Sequence, residues 1–258
     1  MTTQEWPAHD YAIGSFIQAT IANDYLKYLK INATDSVLDI GCGNGAFSRN
    51  ILDKIPNGNF LGIDGSENML KLARQEIAQH HNATVQKTDV LTMAFINKFD
   101  YIVSFWCLQW CAFAIEKAFL NIHNALKNKG KALIIIPAGD DSFINIFYQI
   151  QKSGKFACLN NFKPPIEYEH FLNLEEKIRA LPFKMLKFEK LKHQILLPSL
   201  DIYRKFIKGL AFFQDQISND EINIVNEALV NAYQQECQEK YNGEYWFNLS
   251  LYLIQCEK

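Results

Sequence analysis

What this 258-residue chain lacks narrows its function before any motif is read. No stretch approaches the ~18–20 uninterrupted apolar residues of a membrane helix. The longest notable run, Ala132 to Ala138, is short, β-branched and broken by Pro137, which marks a buried strand and no membrane partner. Positive charge is not in surplus. Lys and Arg total 26 against 28 Asp and Glu, and the net charge of -2 supplies no field to hold a phosphate backbone, so a nucleic-acid partner is not expected. The six cysteines, at 42, 107, 111, 158, 237 and 256, form no CxxC pair. No Cys/His cluster has zinc-ligand spacing, so no metal is expected. The first residues, MTTQEWPAHD, carry acids and no basic region, which argues against a signal peptide. Reduced thiols in a cytoplasmic protein are the expectation. There is no internal repeat and no low-complexity linker.

What is present is an ordinary globular composition, 48% hydrophobic and 21% charged, which excludes a disordered chain. The length suits one large domain. The 19 Phe and 11 Tyr fit a lined pocket or simply a core.

Strand and helix alternate along the first half. Strands are predicted at Ser36 to Ile40, Asn59 to Ile63 (ending at Asp64), Ala83 to Gln86, Phe99 to Phe105 and 131–137. Helices are predicted over about 46–54, over Glu67 to Gln79 with Ser66 as N-cap, and over 113–127. Such alternation implies a parallel sheet covered by helices on both faces, an α/β doubly wound fold. After Pro137 the rhythm changes. Helices are predicted at 142–153, 173–181, 199–210 and 219–240, and strands at Lys184 to Leu197 and Tyr245 to Cys256. The two strands can pair as an antiparallel hairpin whose long connection, 199–240, reads as a helical lid. The whole chain, 1–258, is read as one domain, with residues 1–30 as an N-terminal helical cap.

Glycine is sparse, 12 residues in all, yet three fall in one turn: Asp39-Ile40-Gly41-Cys42-Gly43-Asn44-Gly45, between a strand and a helix. Glycines there let the backbone approach a ligand, and the following helix offers free N–H groups. A dinucleotide turn reads G-x-G-x-x-G, whereas this one reads G-x-G-x-G. Asp39 would repel a pyrophosphate but matches an ammonium, which favours the methionine moiety of S-adenosylmethionine. Asp64 can accept both ribose hydroxyls. Asp89 can take the adenine amino group while the Val90 N–H serves a ring nitrogen. Ser104 and Phe105 end the fourth strand, at the carboxyl edge where open α/β sheets bind ligands. Trp106 and Trp110 stand four apart, as core or as substrate wall. His9, His123, His170 and His193 fall in no motif and are expected in core or surface roles. Lys184, Lys187, Lys190 and Lys192 alternate with apolar residues as a solvated strand face.

In order, VLDIGCGNG, LGIDGSENMLKLA, TDV and FDYIVSFWCLQW resemble the class I S-adenosylmethionine-dependent methyltransferases. Within them the chain is most similar to the branch of trans-aconitate, juvenile hormone acid and biotin-pathway malonyl-carrier methyltransferases. The resemblance is strong over 11–137, while LKNKGKALI departs from the usual Pro-Gly-Gly turn. It implies a seven-stranded, mostly parallel Rossmann-like sheet with the last strand antiparallel. It also implies a cofactor site of Asp39, Gly41, Cys42, Gly43, Asp64, Gly65, Asp89, Val90, Ser104 and Phe105. The acceptor site would hold Tyr11, Gln18, Trp106, Gln109 and Trp110, with Gln18 and Trp110 positioning a carboxylate. The expected reaction is methyl transfer to a small acid or a carrier-bound acyl group, leaving S-adenosylhomocysteine, by a monomer or homodimer. Alternatives are a base-assisted methyltransferase for another acceptor, using His9 or a tyrosine, an NAD-type oxidoreductase, and a non-catalytic cofactor-binding module.

Overall fold

The computed structural model describes residues 16–258, apart from the Leu26 side chain. Tyr11 and His9 lie outside the described residues. A first helix, α1 (Phe16–Tyr25), precedes β1 (Ser36–Ile40), α2 (Ser48–Leu52), β2 (Asn59–Asp64) and α3 (Glu67–Glu76). Then come β3 (Ala83–Lys87), β4 (Phe99–Phe105), a 3-10 segment at Leu108–Ala114, α4 (Ile115–Ala125) and β5 (Leu126–Pro137). The last third adds α5 (Ser142–Lys152), α6 (Leu174–Arg179), β6 (Lys184–Leu196), α7 (Leu200–Gly209), α8 (Asn219–Tyr241) and β7 (Trp246–Glu257).

The strands form one seven-stranded sheet in the order β3-β2-β1-β4-β5-β7-β6. The first five are parallel, and β7 runs antiparallel to both neighbours. Central strands β1 and β4 are buried along almost their whole length because both faces are covered. Val37, Val103 and Ile135 pack on one face of the sheet and Leu38, Ile102 and Ile134 on the other, each inside its own core cluster. Chain order reverses between β1 and β4, which opens a crevice at their carboxyl ends.

Local chemistry explains most boundaries. Ser66 caps α3 by accepting the Met69 N–H, and Asp141 caps α5 by accepting the Ile144 N–H at 2.9 Å. A full capping box, Ser218 with Glu221, starts α8. Two boundaries differ from expectation. The strand expected at 131–137 begins at Leu126, because Leu126 pairs with Phe99 across a register shift that also brings Lys129 to φ 63°. The helix expected over 113–127 is split, with its first part a 3-10 segment. The predicted hairpin of the last two strands forms, and α7 and α8 lie in its connection. All six cysteines are free thiols. Three of the four alternating lysines of β6 are ion-paired, Lys184 to Glu257, Lys187 to Glu189 and Lys190 to Asp140.

Candidate functional site

A cavity of about 1190 Å³, its open mouth included, lies at the carboxyl ends of β1, β2, β4 and β5. One half is built from the glycine turn and the end of β2: Gly41, Gly43, Asp64, Gly65 and Ser66, with Met69 from α3. The Asp64 carboxylate anchors it, accepting the Gly43 N–H at 3.0 Å and the Ser66 N–H at 2.9 Å. Gly43 has φ 55°, and a Cβ built there would meet no atom within 4 Å. The backbone therefore borders empty space in a conformation that only glycine adopts at little cost.

The other half comes from the end of β4 and from distant segments. Trp106, Cys107, Gln109 and Trp110 follow β4, while Ile17 and Gln18 descend from α1. Phe206 on α7, Phe212 beyond it, Phe143 on α5 and Phe247 on β7 close the wall. Their rings interlock, Phe143 against Phe212 at 4.9 Å and Phe206 against Phe247 at 5.4 Å. Three polar atoms on this side are buried without a hydrogen-bond partner: Gln18 Oε1, Gln109 Oε1 and Trp106 Nε1. The Gln109 Nε2 is engaged, donating to the Trp106 carbonyl at 2.8 Å. Trp106 itself sits at φ 58°, an unusual left-handed conformation for an aromatic residue and one that marks functional turns. Unpaired polar atoms inside a protein are costly, which makes this wall suited to a polar ligand group.

The residues expected from sequence are therefore divided. Gly41, Gly43, Asp64, Gly65, Gln18, Trp106, Gln109 and Trp110 all line the cavity. Asp39, Cys42, Asp89, Val90, Ser104 and Phe105 are not among the lining residues. Asp39 is 3% exposed and its Oδ2 accepts the Ser48 hydroxyl at 2.8 Å, so it braces the turn from behind. Burial pushes its carboxyl up to about 7, against the opposing Ser48 bond. The Ser104 hydroxyl donates to the Ile40 carbonyl, tying β4 to β1, and Phe105 packs edge-on to Phe47. Asp89 Oδ1 accepts the Leu91 N–H in a tight local turn. His193 Nε2 is bonded to the Tyr25 hydroxyl at 2.7 Å and is not a lining residue, nor are His123 and His170.

The lining residues that went unread in the sequence include two with titratable groups, Asp141 and Tyr168. Asp141 was legible only as a helix start, from the Asp-Asp-Ser that opens α5. Burial pushes its carboxyl up to about 6. Burial likewise holds the Tyr168 phenol well above its ordinary value, with Asp141 adding to the effect. Among the described residues, no group of three or more His, Cys, Asp or Glu is placed to hold a metal ion. No helix among them is long and apolar enough to cross a membrane.

Comparison with known proteins agrees with this geometry. A methyltransferase-domain family model matches residues 37–130, the stretch from β1 into β5. A demethylmenaquinone methyltransferase of Listeria welshimeri is 33% identical over 61% of this chain and 68% of its own length. A malonyl-[acyl-carrier protein] O-methyltransferase of Priestia megaterium is 24% identical over 79% of this chain and 77% of its own. Among solved structures, a phosphoethanolamine N-methyltransferase of Haemonchus contortus in complex with S-adenosyl-L-methionine superposes with a TM-score of 0.58. It is 20% identical and covers 95% of this chain and 56% of that one. The open space at Gly43 and the carboxylate at the end of β2 fit an adenosyl amino acid. The glycine turn, the sheet order and the relatives converge: the chain belongs to the class I S-adenosylmethionine-dependent methyltransferases.

Proposed function

We propose that the protein transfers a methyl group to a carboxylate oxygen of a small acid or of a carrier-bound acyl group. The observation that carries this reading is the wall opposite the glycine turn. Gln18, Trp106, Gln109 and Trp110 gather there, and among the described residues no Lys, Arg or His lines the cavity with them. The Trp106 indole N–H, buried without a partner, can orient a carboxylate without withdrawing its charge. S-adenosylmethionine supplies an electrophilic methyl on a sulfonium. A carboxylate, with an ordinary pKa near 4, is ionised at neutral pH and needs no base. The reaction neutralises an anion and a cation together, so an apolar surrounding favours it. Holding the two reactants in line can supply ~7–11 kcal/mol of the barrier. Helix α1 and the 199–240 segment serve as a cap in this reading, because Gln18 and Phe206 reach the cavity from them. The malonyl-carrier relative, an O-methyltransferase by name, supports the same class of acceptor.

A second reading rests on Asp141, a carboxylate on the same wall whose pKa near 6 would suit a general base. It would serve a hydroxyl, amine or carbon acceptor, as the demethylmenaquinone relative suggests. A panel of carboxylic acids, phenols and amines incubated with methyl-labelled S-adenosylmethionine separates the two. Base-labile methyl ester, formed at a rate flat between about pH 6 and 8, is the expected product. Base-stable product with a rate that rises through pH 6 would replace this reading with the second.

A further inference from the structure

Two charged side chains line the cavity, Asp64 on the cofactor side and Asp141 across it, and both are acids. No Lys, Arg or His among the described lining residues accompanies them. Asp141 is half-buried at the start of α5, with one oxygen fixed by the Ile144 N–H. The Tyr168 ring beside it lies flat on Gly139, where any side chain would collide, so this part of the wall is closely packed. Phe143 and Ile144 follow on the same helix, and Phe206, Phe212 and Phe247 continue the apolar surface.

Resting on the carboxylate reading above, we infer that Asp141 is a specificity-determining residue that restricts the acceptor to molecules with a single anionic group. The electrostatics are simple. One acceptor carboxylate is balanced by the sulfonium it attacks. A second finds no counter-ion among the described lining residues and meets the Asp141 carboxylate against a largely apolar wall. Specificity built this way comes from repulsion of the wrong ligand, not from added attraction for the right one. Polycarboxylates are thereby excluded, whereas an acid with an uncharged apolar body is accepted against the phenylalanine wall. A malonyl thioester, which carries one free carboxylate, passes the same filter.

The test uses octanoate and octanedioate, acids of equal length bearing one and two charges, with the full-length enzyme at pH 8. Asp141→Asn retains an oxygen to cap α5, so the fold is preserved, and Asp141→Ser provides a second capped variant. The wild type is expected to favour octanoate by at least ~30-fold in kcat/KM. Both variants should narrow that preference at least ~10-fold, mainly through a lower KM for octanedioate. An unchanged preference in folded variants overturns the assignment of Asp141 alone. Loss of methylation of both acids by the variants, with S-adenosylhomocysteine binding intact, overturns it in favour of a general base. If neither acid is methylated or bound even by the wild type, a filter for apolar monoacids is overturned, whereas the carboxylate reading itself fails only if the panel above yields no methyl ester.

Discussion

The two halves of the cavity are built in opposite ways. The half read as the cofactor side comes from one continuous stretch, Gly41 to Met69, the turn after β1, α2, β2 and the capped start of α3. The acceptor half draws on α1, the end of β4, the start of α5, the 166–168 loop, α7 and β7, segments up to some 230 residues apart in the chain. A site formed from local backbone geometry can stay constant while its neighbour changes. The acceptor wall depends on side chains carried by separate elements, each open to substitution without disturbing the turn. Relatives named for a malonyl carrier and for demethylmenaquinone are both similar to this chain, which fits that division.

The largest effect should follow a change in the local half. Gly43→Val places a branched side chain in space that is now empty, at a φ of 55° that valine adopts poorly. Calorimetry is expected to detect no S-adenosylhomocysteine binding by a protein that is still folded by circular dichroism. Binding within ~10-fold of wild type would break the comparison, since the turn would not then cradle the cofactor.

Asp39 gives the next effect, on stability. Its folded pKa, near 7, lies above the unfolded value near 4, so the folded state holds a proton that the unfolded state releases. Its contribution is complete below about pH 4 and lost as pH rises through about 7. The difference amounts to at most ~4 kcal/mol, from the three-unit shift at 1.36 kcal/mol each. Asp39→Asn removes this proton linkage, so denaturant unfolding at pH 5 and pH 8 should show a smaller loss of stability than in wild type. Equal losses would mean that Asp39 is ionised in the folded protein throughout.

Smaller still is Asp64→Ala. Removing hydrogen bonds to a charged group weakens binding by ~1.5–3 kcal/mol, so the Kd for S-adenosylhomocysteine should rise about 10- to 150-fold. A modest fall in Tm should accompany it, because the Gly43 and Ser66 N–H groups lose their acceptor. In the acceptor half, Gln18→Ala and Trp110→Phe should each lower kcat/KM by ~10- to 100-fold, or ~1.4–2.8 kcal/mol. Cofactor affinity should stay close to wild type, and a parallel loss of both would erase the distinction between the halves.

The same division governs what could be read from sequence. The strand-turn-helix around Gly41 to Gly45 is a short-range pattern, and the Ser66 cap and the strand ending at Asp64 follow from neighbouring residues. What lay behind Asp39 was not legible: its burial, and the Ser48 hydroxyl of α2 that donates to its carboxylate. Ser104 and Asp89 likewise spend side-chain hydrogen-bonding capacity on the protein backbone. Asp141 and Tyr168 were missed for the converse reason. Asp141 follows the carboxyl end of β5 by four residues, but Asp-Asp-Ser reads first as a helix cap, and nothing in the sequence near Tyr168 ties it to that edge. The phenylalanines at 206, 212 and 247 had no periodicity to distinguish a pocket wall from a core.

The most direct test is a calorimetric titration of S-adenosylhomocysteine into wild type, Gly43→Val and Gln18→Ala. One site per chain is predicted for wild type and Gln18→Ala with Kd values within about threefold of each other, and none for Gly43→Val. Retained binding by Gly43→Val, or binding lost in Gln18→Ala, would contradict a cofactor site built from the β1–β2 half alone.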